Sequence, residues 1–169
     1  MLLLRSARPE DAQEVLRIYE LVRGQTEYLL SYPGESTMTF DEERGFLEGR
    51  EASPNALFLC AFLDGTLVGT AGIAAVGSYQ KLRHRAQMDV AIDRACWGRG
   101  IGRAMVQACL ECAREAQYLQ VELSVVEENR RAVELYRRFG FEQFGRNPCG
   151  LRTRDGRWQT VADMRMELK

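Results

Sequence analysis

Gly98, Gly100 and Gly102 fall at every second position, between the alternating run Met88-Asp89-Val90-Ala91-Ile92 and the start of a helical pattern. Backbone N–H groups at such glycines are unobstructed by any Cβ, and a helix beginning here turns its partial positive end toward them. Arg99 and Arg103 add formal charge on either side. Residues of these types at this spacing can seat a phosphate or pyrophosphate. The same spacing excludes two nucleotide motifs. A P-loop needs Gly-x-x-x-x-Gly-Lys-Ser/Thr, and no Lys-Ser or Lys-Thr pair follows these glycines. The dinucleotide fingerprint needs its third glycine three positions after its second, where this chain has Arg103. That fold also places the loop after the first strand of a parallel sheet, whereas this loop follows a fourth strand that comes after a hairpin.

The elements that must hold the seat are legible in the periodicity. Leu2 to Arg5 reads as a first strand. Pro9 fits a first helical position, with Val15, Leu16, Ile18, Tyr19 and Val22 following at helical spacing until Gly24. Residues 25–37 are irregular and polar–aromatic. Thr39-x-x-Glu42 resembles a capping box for a helix running to about Arg50. Ala56 to Leu63 and Leu67 to Ala75 flank Asp64-Gly65, a strong hairpin signal. A strand from His84 to Ile92 delivers the chain to the glycine loop. The helix from Gly100 to Ala116 is predicted to bury Ile101, Met105, Ala108 and Cys112. Val121 to Val126 is another strand, and Asn129 is a good N-cap for a helix burying Ala132, Val133, Tyr136 and Phe139. Phe141 to Phe144 and Val161 to Leu168 close the chain as strands, with Asp155-Gly156 as their turn. The β-α-β-α-β centre with antiparallel hairpins before and after predicts a mixed-sheet α/β domain.

The 169 residues, 46% of them hydrophobic, are enough for one domain with a full core. A formal net charge of -1 argues against a nucleic-acid footprint, which shows as a basic excess. No run approaches transmembrane length, and Met1-Leu2-Leu3-Leu4-Arg5 is too short an apolar stretch for a signal peptide. Five scattered cysteines then fit a reduced, cytoplasmic protein. Cys109-x-x-Cys112 lies inside a helix without a second Cys/His pair, and His84 is the only histidine, so no metal site is expected.

The strand, the loop Trp97-Gly98-Arg99-Gly100-Ile101-Gly102 and its helix resemble the acetyl-CoA-binding motif of the GCN5-related N-acetyltransferases, Gln/Arg-x-x-Gly-x-Gly/Ala. A second signature of that family follows at the expected distance: Asn129, Ala132, Leu135-Tyr136, then Gly140-Phe141. The resemblance runs from the first strand to the closing hairpin. One departure is visible, because Trp97 stands where the family has Gln or Arg. Pyrophosphate binding relies mainly on backbone amides, so the seat is expected to survive the change.

The resemblance implies the family's α/β fold over residues 1–169 as a single domain. Its mixed, mostly antiparallel sheet is flanked by helices and splayed between the fourth and fifth strands. It implies acetyl-CoA as cosubstrate and no metal. The pantetheine arm would pair with the backbone of Val90, Ala91 and Ile92 like an added strand. The pyrophosphate would take N–H bonds from Gly98, Arg99, Gly100, Ile101, Gly102 and Arg103 beside Trp97, each worth about 1.5–3 kcal/mol to a charged acceptor. Asn129 would touch the cofactor while capping its helix. In this family a tyrosine seven residues after that asparagine commonly acts as general acid and meets the cofactor, which here is Tyr136.

The general base is less determined. Some members carry a glutamate at the position of Ser124, and serine cannot do that work. Asp89, Glu122, Glu127 or a water chain to solvent are the alternatives, with Asp89 slightly favoured as an acidic residue on an apolar strand. Ion pairing of Asp89 with Arg83 or Arg85 is the competing fate. Acceptor specificity in the family usually comes from the segment between the first two helices and from the closing strands. Glu27, Tyr28, Tyr32 and Glu35 are the substrate candidates there, suited to a cationic amine by charge pairing and cation–π contact. The implied activity is acetyl transfer to a primary amine of a small molecule or protein by direct attack. The alternative is a non-catalytic CoA-binding sensor or interaction domain. Nucleic-acid and membrane partners are not expected, and a homodimer is compatible with the sequence.

Overall fold

A computed structural model describes all 169 residues. Strand β1 (Leu2–Ser6) leads through a short 3-10 turn (Pro9–Asp11) into helix α1 (Ala12–Gln25). Helix α2 (Phe40–Ala52) follows a long connection. Its start is the expected capping box: the Thr39 hydroxyl accepts from Glu42 N, and the Glu42 carboxylate accepts from Thr39 N at 2.8 Å. Strands β2 (Leu57–Leu63) and β3 (Thr66–Ala75) join through Asp64 and Gly65, both at positive φ (49° and 85°), the conformation a two-residue hairpin requires. Then come β4 (Arg85–Ile92), α3 (Ile101–Glu115), β5 (Gln120–Val126), α4 (Arg130–Phe139), β6 (Glu142–Arg152) and β7 (Trp158–Glu167).

The seven strands form one sheet in the order β1-β2-β3-β4-β5-β7-β6, antiparallel except for the β4–β5 pair. That parallel pairing covers only Arg85–Gln120, Ala86–Val121 and Gln87–Glu122, after which the two strands diverge. The expected splay is therefore present. β4 keeps full pairing with β3 up to Ile92, so its other edge is free from Met88 onward.

Each sheet face carries its own core. Helix α3 packs a 24-residue cluster against one face, built on Met105, Val106, Cys109 and Leu110 of α3 and on Val121, Leu123 and Met164 of the sheet. Helices α1 and α2 bring Val15, Ile18, Val22 and Leu47 onto Phe58 and Cys60 of the other. The buried stripe of α3 is Ile101, Met105, Val106, Cys109, Leu110 and Ala113. Ala108 and Cys112, expected at its centre, are only half-buried on its flank. The helix presents a broader apolar arc, centred on Met105, Val106, Cys109 and Leu110, than a single stripe of one residue per turn. Cys109 is sealed in this core, where burial pushes its thiol up to about 12. No helix is long and apolar enough to cross a membrane.

The largest departure from the sequence reading is β6, which continues to Arg152 rather than ending at Phe144. As the outermost strand it tolerates Pro148, and a register shift between Asn147 and Leu151 absorbs the irregularity.

Candidate active site

A cleft of about 640 Å³ opens where β4 leaves β5. Its walls are the free edge of β4, the glycine loop with the first turn of α3, the inner face of α4, and the end of α1 with the residues after it. Val90, Ala91, Ile92, Trp97, Gly98, Gly100, Ile101, Gly102, Arg103, Asn129 and Tyr136 all line it. Of the residues expected at the cofactor, only Arg99 points elsewhere.

The three glycines have different physical reasons. Gly98 and Gly100 sit at φ +82° and +80°, left-handed backbone that favours glycine. A Cβ on Gly102 would lie 3.3 Å from both Ile92 Cδ1 and Leu135 Cδ2, so this position lets α3 approach β4 and α4 closely. Gly100 begins α3 with no side-chain cap and no acidic residue in the first turn. The N–H groups of that turn are therefore unspent donors facing the cleft.

The loop is tied at its entry. The Trp97 indole N–H donates to the Ile92 carbonyl at 2.9 Å. Asp93 accepts from Ala95 N at 3.0 Å and from the Gln25 side chain at 2.8 Å, while the Gln25 oxygen accepts from Arg94 N. The end of α1 is thereby pinned to the turn that follows β4.

Asn129 caps α4, its side-chain oxygen accepting from Ala132 N at 3.3 Å, and it also lines the cleft. Tyr136 lies one face further along this helix, 7% exposed, with its ring edge-on to Phe141 at 5.7 Å. Its hydroxyl has no protein partner, yet it is not among the sealed, unpartnered polar atoms, so it opens toward the cleft. Burial, with the charge of Asp89 added, raises this phenol above its ordinary range.

Val90 and Ile92 face the α3 core, while Ala91 packs toward α1 and α2, so Asp89 shares the α1–α2 face, opposite Tyr136, and is not among the residues that line the cleft. Asp89 keeps solvent-exposed surface although protein surrounds it closely. Loss of hydration raises its carboxyl above the ordinary range, and Arg50 offsets this in part. The competing carboxylates are engaged. Glu122 pairs with Arg85, which leaves Asp89 without that partner, and accepts from Gln120 at 2.6 Å. Arg146 grips Glu127 at 2.8 and 3.1 Å. Both pairings hold those carboxyls below the usual range. Ser124 donates to Asp163 at 2.6 Å.

The acceptor candidates are divided. Tyr28 lines the cleft. Tyr32 donates to Glu27 at 2.8 Å and accepts from Arg154 N at 3.0 Å, with the Arg154 guanidinium 4.0 Å over its ring. Gln159 donates to the Glu27 carbonyl, and Glu35 accepts from Tyr32 N and faces Arg154. Glu27, Tyr32 and Glu35 thus latch the α1–α2 connection to the β6–β7 turn. Sequence reasoning also missed Glu43 of α2, 1% exposed with one carboxylate oxygen unpartnered, and the equally unpartnered Thr70 hydroxyl. Both lie beside Tyr19.

A seven-stranded sheet split at a parallel pair, with a glycine turn and a helix N-terminus at the split, defines a class: acetyl-CoA-dependent N-acetyltransferases. The family model described as the acetyltransferase (GNAT) family matches residues 16–141. The chain belongs to that family, of which solved members holding acetyl-CoA share this fold. It is similar to the N-alpha-acetyltransferase RimI of Mycobacterium tuberculosis, 37% identical over 94 residues, 56% of this chain and 57% of that protein. It is 25% identical over 166 residues to the L-methionine sulfoximine/L-methionine sulfone acetyltransferase of Pseudomonas paraeruginosa, covering 98% of this chain and 94% of that one. A GNAT-family acetyltransferase from Streptococcus pneumoniae superposes with a TM-score of 0.95 at 27% identity, over 99% of this chain and 100% of that chain.

Proposed function

We propose that this chain moves the acetyl group of acetyl-CoA to a primary amine by direct attack, with Tyr136 as general acid and Asp89 as general base. The observation that carries the reading is the Tyr136 hydroxyl, unpartnered on the cleft wall beside the free edge of β4. Pantetheine lies along Val90 to Ile92 as an added strand, and the pyrophosphate rests on the amides from Gly98 to Arg103. Asp89 takes a proton from the acceptor's ammonium. The freed nitrogen attacks the thioester carbonyl, the C–N bond forms, and the C–S bond breaks. Tyr136 protonates the departing thiolate, and the nitrogen's second proton returns to the phenolate. Burial keeps Tyr136 protonated near neutral pH, the state an acid needs. The raised carboxyl of Asp89 makes it a stronger base than an ordinary aspartate.

The latch between residues 27–35 and the β6–β7 turn narrows the acceptor side, which favours a free amine of amino-acid size over a folded protein. Residues 1–169 act as a single domain in this reading, and five unpaired cysteines suit a cytoplasmic location. Thiol release from acetyl-CoA across a panel of amines tests it. Release that depends on the amine is expected. CoA binding without release against any amine reassigns the chain to cofactor sensing, and absence of CoA binding defeats both readings.

A further inference from the structure

Arg131 occupies the second position of α4 and lines the cleft. Glu134, one turn on, faces Arg138 instead and leaves the Arg131 charge uncompensated. What Arg131 does touch is an aromatic face: its guanidinium carbon lies 5.4 Å from the Trp97 ring centroid. One terminal nitrogen lies 3.2 Å from where a Cβ on Gly98 would stand, so the guanidinium fills the space over the first of the loop's two left-handed glycines. Trp97 cannot swing away freely, because its indole N–H is held by the Ile92 carbonyl. A guanidinium stacked on a ring keeps its edge N–H groups free, in a fork that matches phosphate oxygens.

We propose that Arg131, braced by Trp97, is the charged ligand of the cofactor's pyrophosphate. It supplies from α4 the polar side chain that the loop lacks at position 97. The proposal rests on the reading of this cleft as the acyl-CoA site. Arg131 binds the cofactor and takes no part in proton transfer, and Trp97 is its positioning residue.

The test compares Arg131→Gln, Arg131→Lys and Trp97→Leu with the wild type. Affinities are measured for CoA and 3′-dephospho-CoA, and steady-state constants for acetyl-CoA and S-acetylpantetheine, which lacks the pyrophosphate. Arg131→Gln is expected to weaken CoA and 3′-dephospho-CoA alike by about 10- to 100-fold, the loss of one charge-assisted contact. The loss appears in KM for acetyl-CoA rather than in kcat, and KM for S-acetylpantetheine does not move. Arg131→Lys recovers part of the affinity, since it keeps the charge without the fork. Trp97→Leu reproduces part of the loss and adds little to it in the double variant. An effect that vanishes with 3′-dephospho-CoA overturns the proposal in favour of the 3′-phosphate. An equal loss with S-acetylpantetheine overturns it in favour of a structural role, and unchanged affinity overturns it outright. Wild-type protein that binds no CoA defeats the reading of the cleft, a result distinct from wild-type binding that Arg131→Gln leaves untouched.

Discussion

Gly72 on β3 is the register partner of Asp89 on β4, and a Cβ on Gly72 would lie 2.7 Å from Asp89 Oδ1. The carboxylate leans into room that only glycine leaves. Gly72→Ala therefore displaces the proposed base while the strand itself accepts alanine readily. Turnover is expected to fall about 10²-fold, the cost of a misplacement of roughly 1 Å, with the melting temperature held. Wild-type turnover in this variant would remove Asp89 from the mechanism.

Asp89→Asn isolates the charge. Wild-type turnover should fall as pH drops through the raised value of Asp89, because the protonated carboxyl cannot accept the acceptor's proton. In the variant that acidic limb disappears and turnover at neutral pH is lower by about 10²–10⁴-fold. A pH–rate profile of kcat on both proteins checks it, and an unchanged limb in the variant assigns the limb to another group.

Tyr136→Phe removes the hydroxyl and keeps the ring against Phe141. Expected is a loss of about 10²–10⁴ in kcat, with little change in the affinity for CoA or in thermal stability. Stopped-flow measurement of thiol release at saturating substrates reads this directly.

Glu43 carries a stability prediction. Burial raises its carboxyl, so the folded chain holds this proton at pH values where the unfolded chain has already released it. Stability from this group is then complete below the ordinary glutamate range, about 4.3, and is lost as pH rises through the raised folded value. Glu43→Met deletes the titration and the unpartnered oxygen. Its urea midpoint should exceed the wild type's at pH 8 by more than at pH 4, with about 1–3 kcal/mol recovered from the unsatisfied group.

Tyr32→Phe opens the latch, leaving Arg154 N and Glu27 without their shared hydroxyl. Amide exchange should quicken in residues 26–37 and 153–158. KM for the acceptor should rise about threefold to tenfold, the value of one hydrogen bond, while affinity for acetyl-CoA holds.

Most of the cleft lining was legible in the chain because its parts are local. A glycine loop, a helix start and an asparagine cap are each written within a few neighbouring residues, and all but Arg99 of the expected set meet at the cleft. Long-range pairings were not legible. Glu27, Tyr32 and Glu35 have the types that bind cationic amines, but their engagement depends on Arg154, 122 positions beyond Tyr32. Gly72 reads as an ordinary strand glycine until its partner is known. Glu43 looks like one more acid in the charged first turn of α2, and only its burial near Tyr19 reveals it as sealed. Pro148 and Gly150 read as the end of a strand, and only the outer position of β6 explains why the strand continues.

The free edge of β4 has a consequence for how this chain behaves among other chains. Unpaired strand edges invite neighbouring molecules to add a strand, and proteins usually guard them at the rim of a sheet. Here the unpaired stretch lies in the middle of the sheet, recessed between β3 and the diverging β5, with α3 and α4 over one side. A single thin, extended arm can enter that slot, whereas a second sheet cannot approach it. The protein thereby keeps a hydrogen-bonding template open without offering a seed for aggregation.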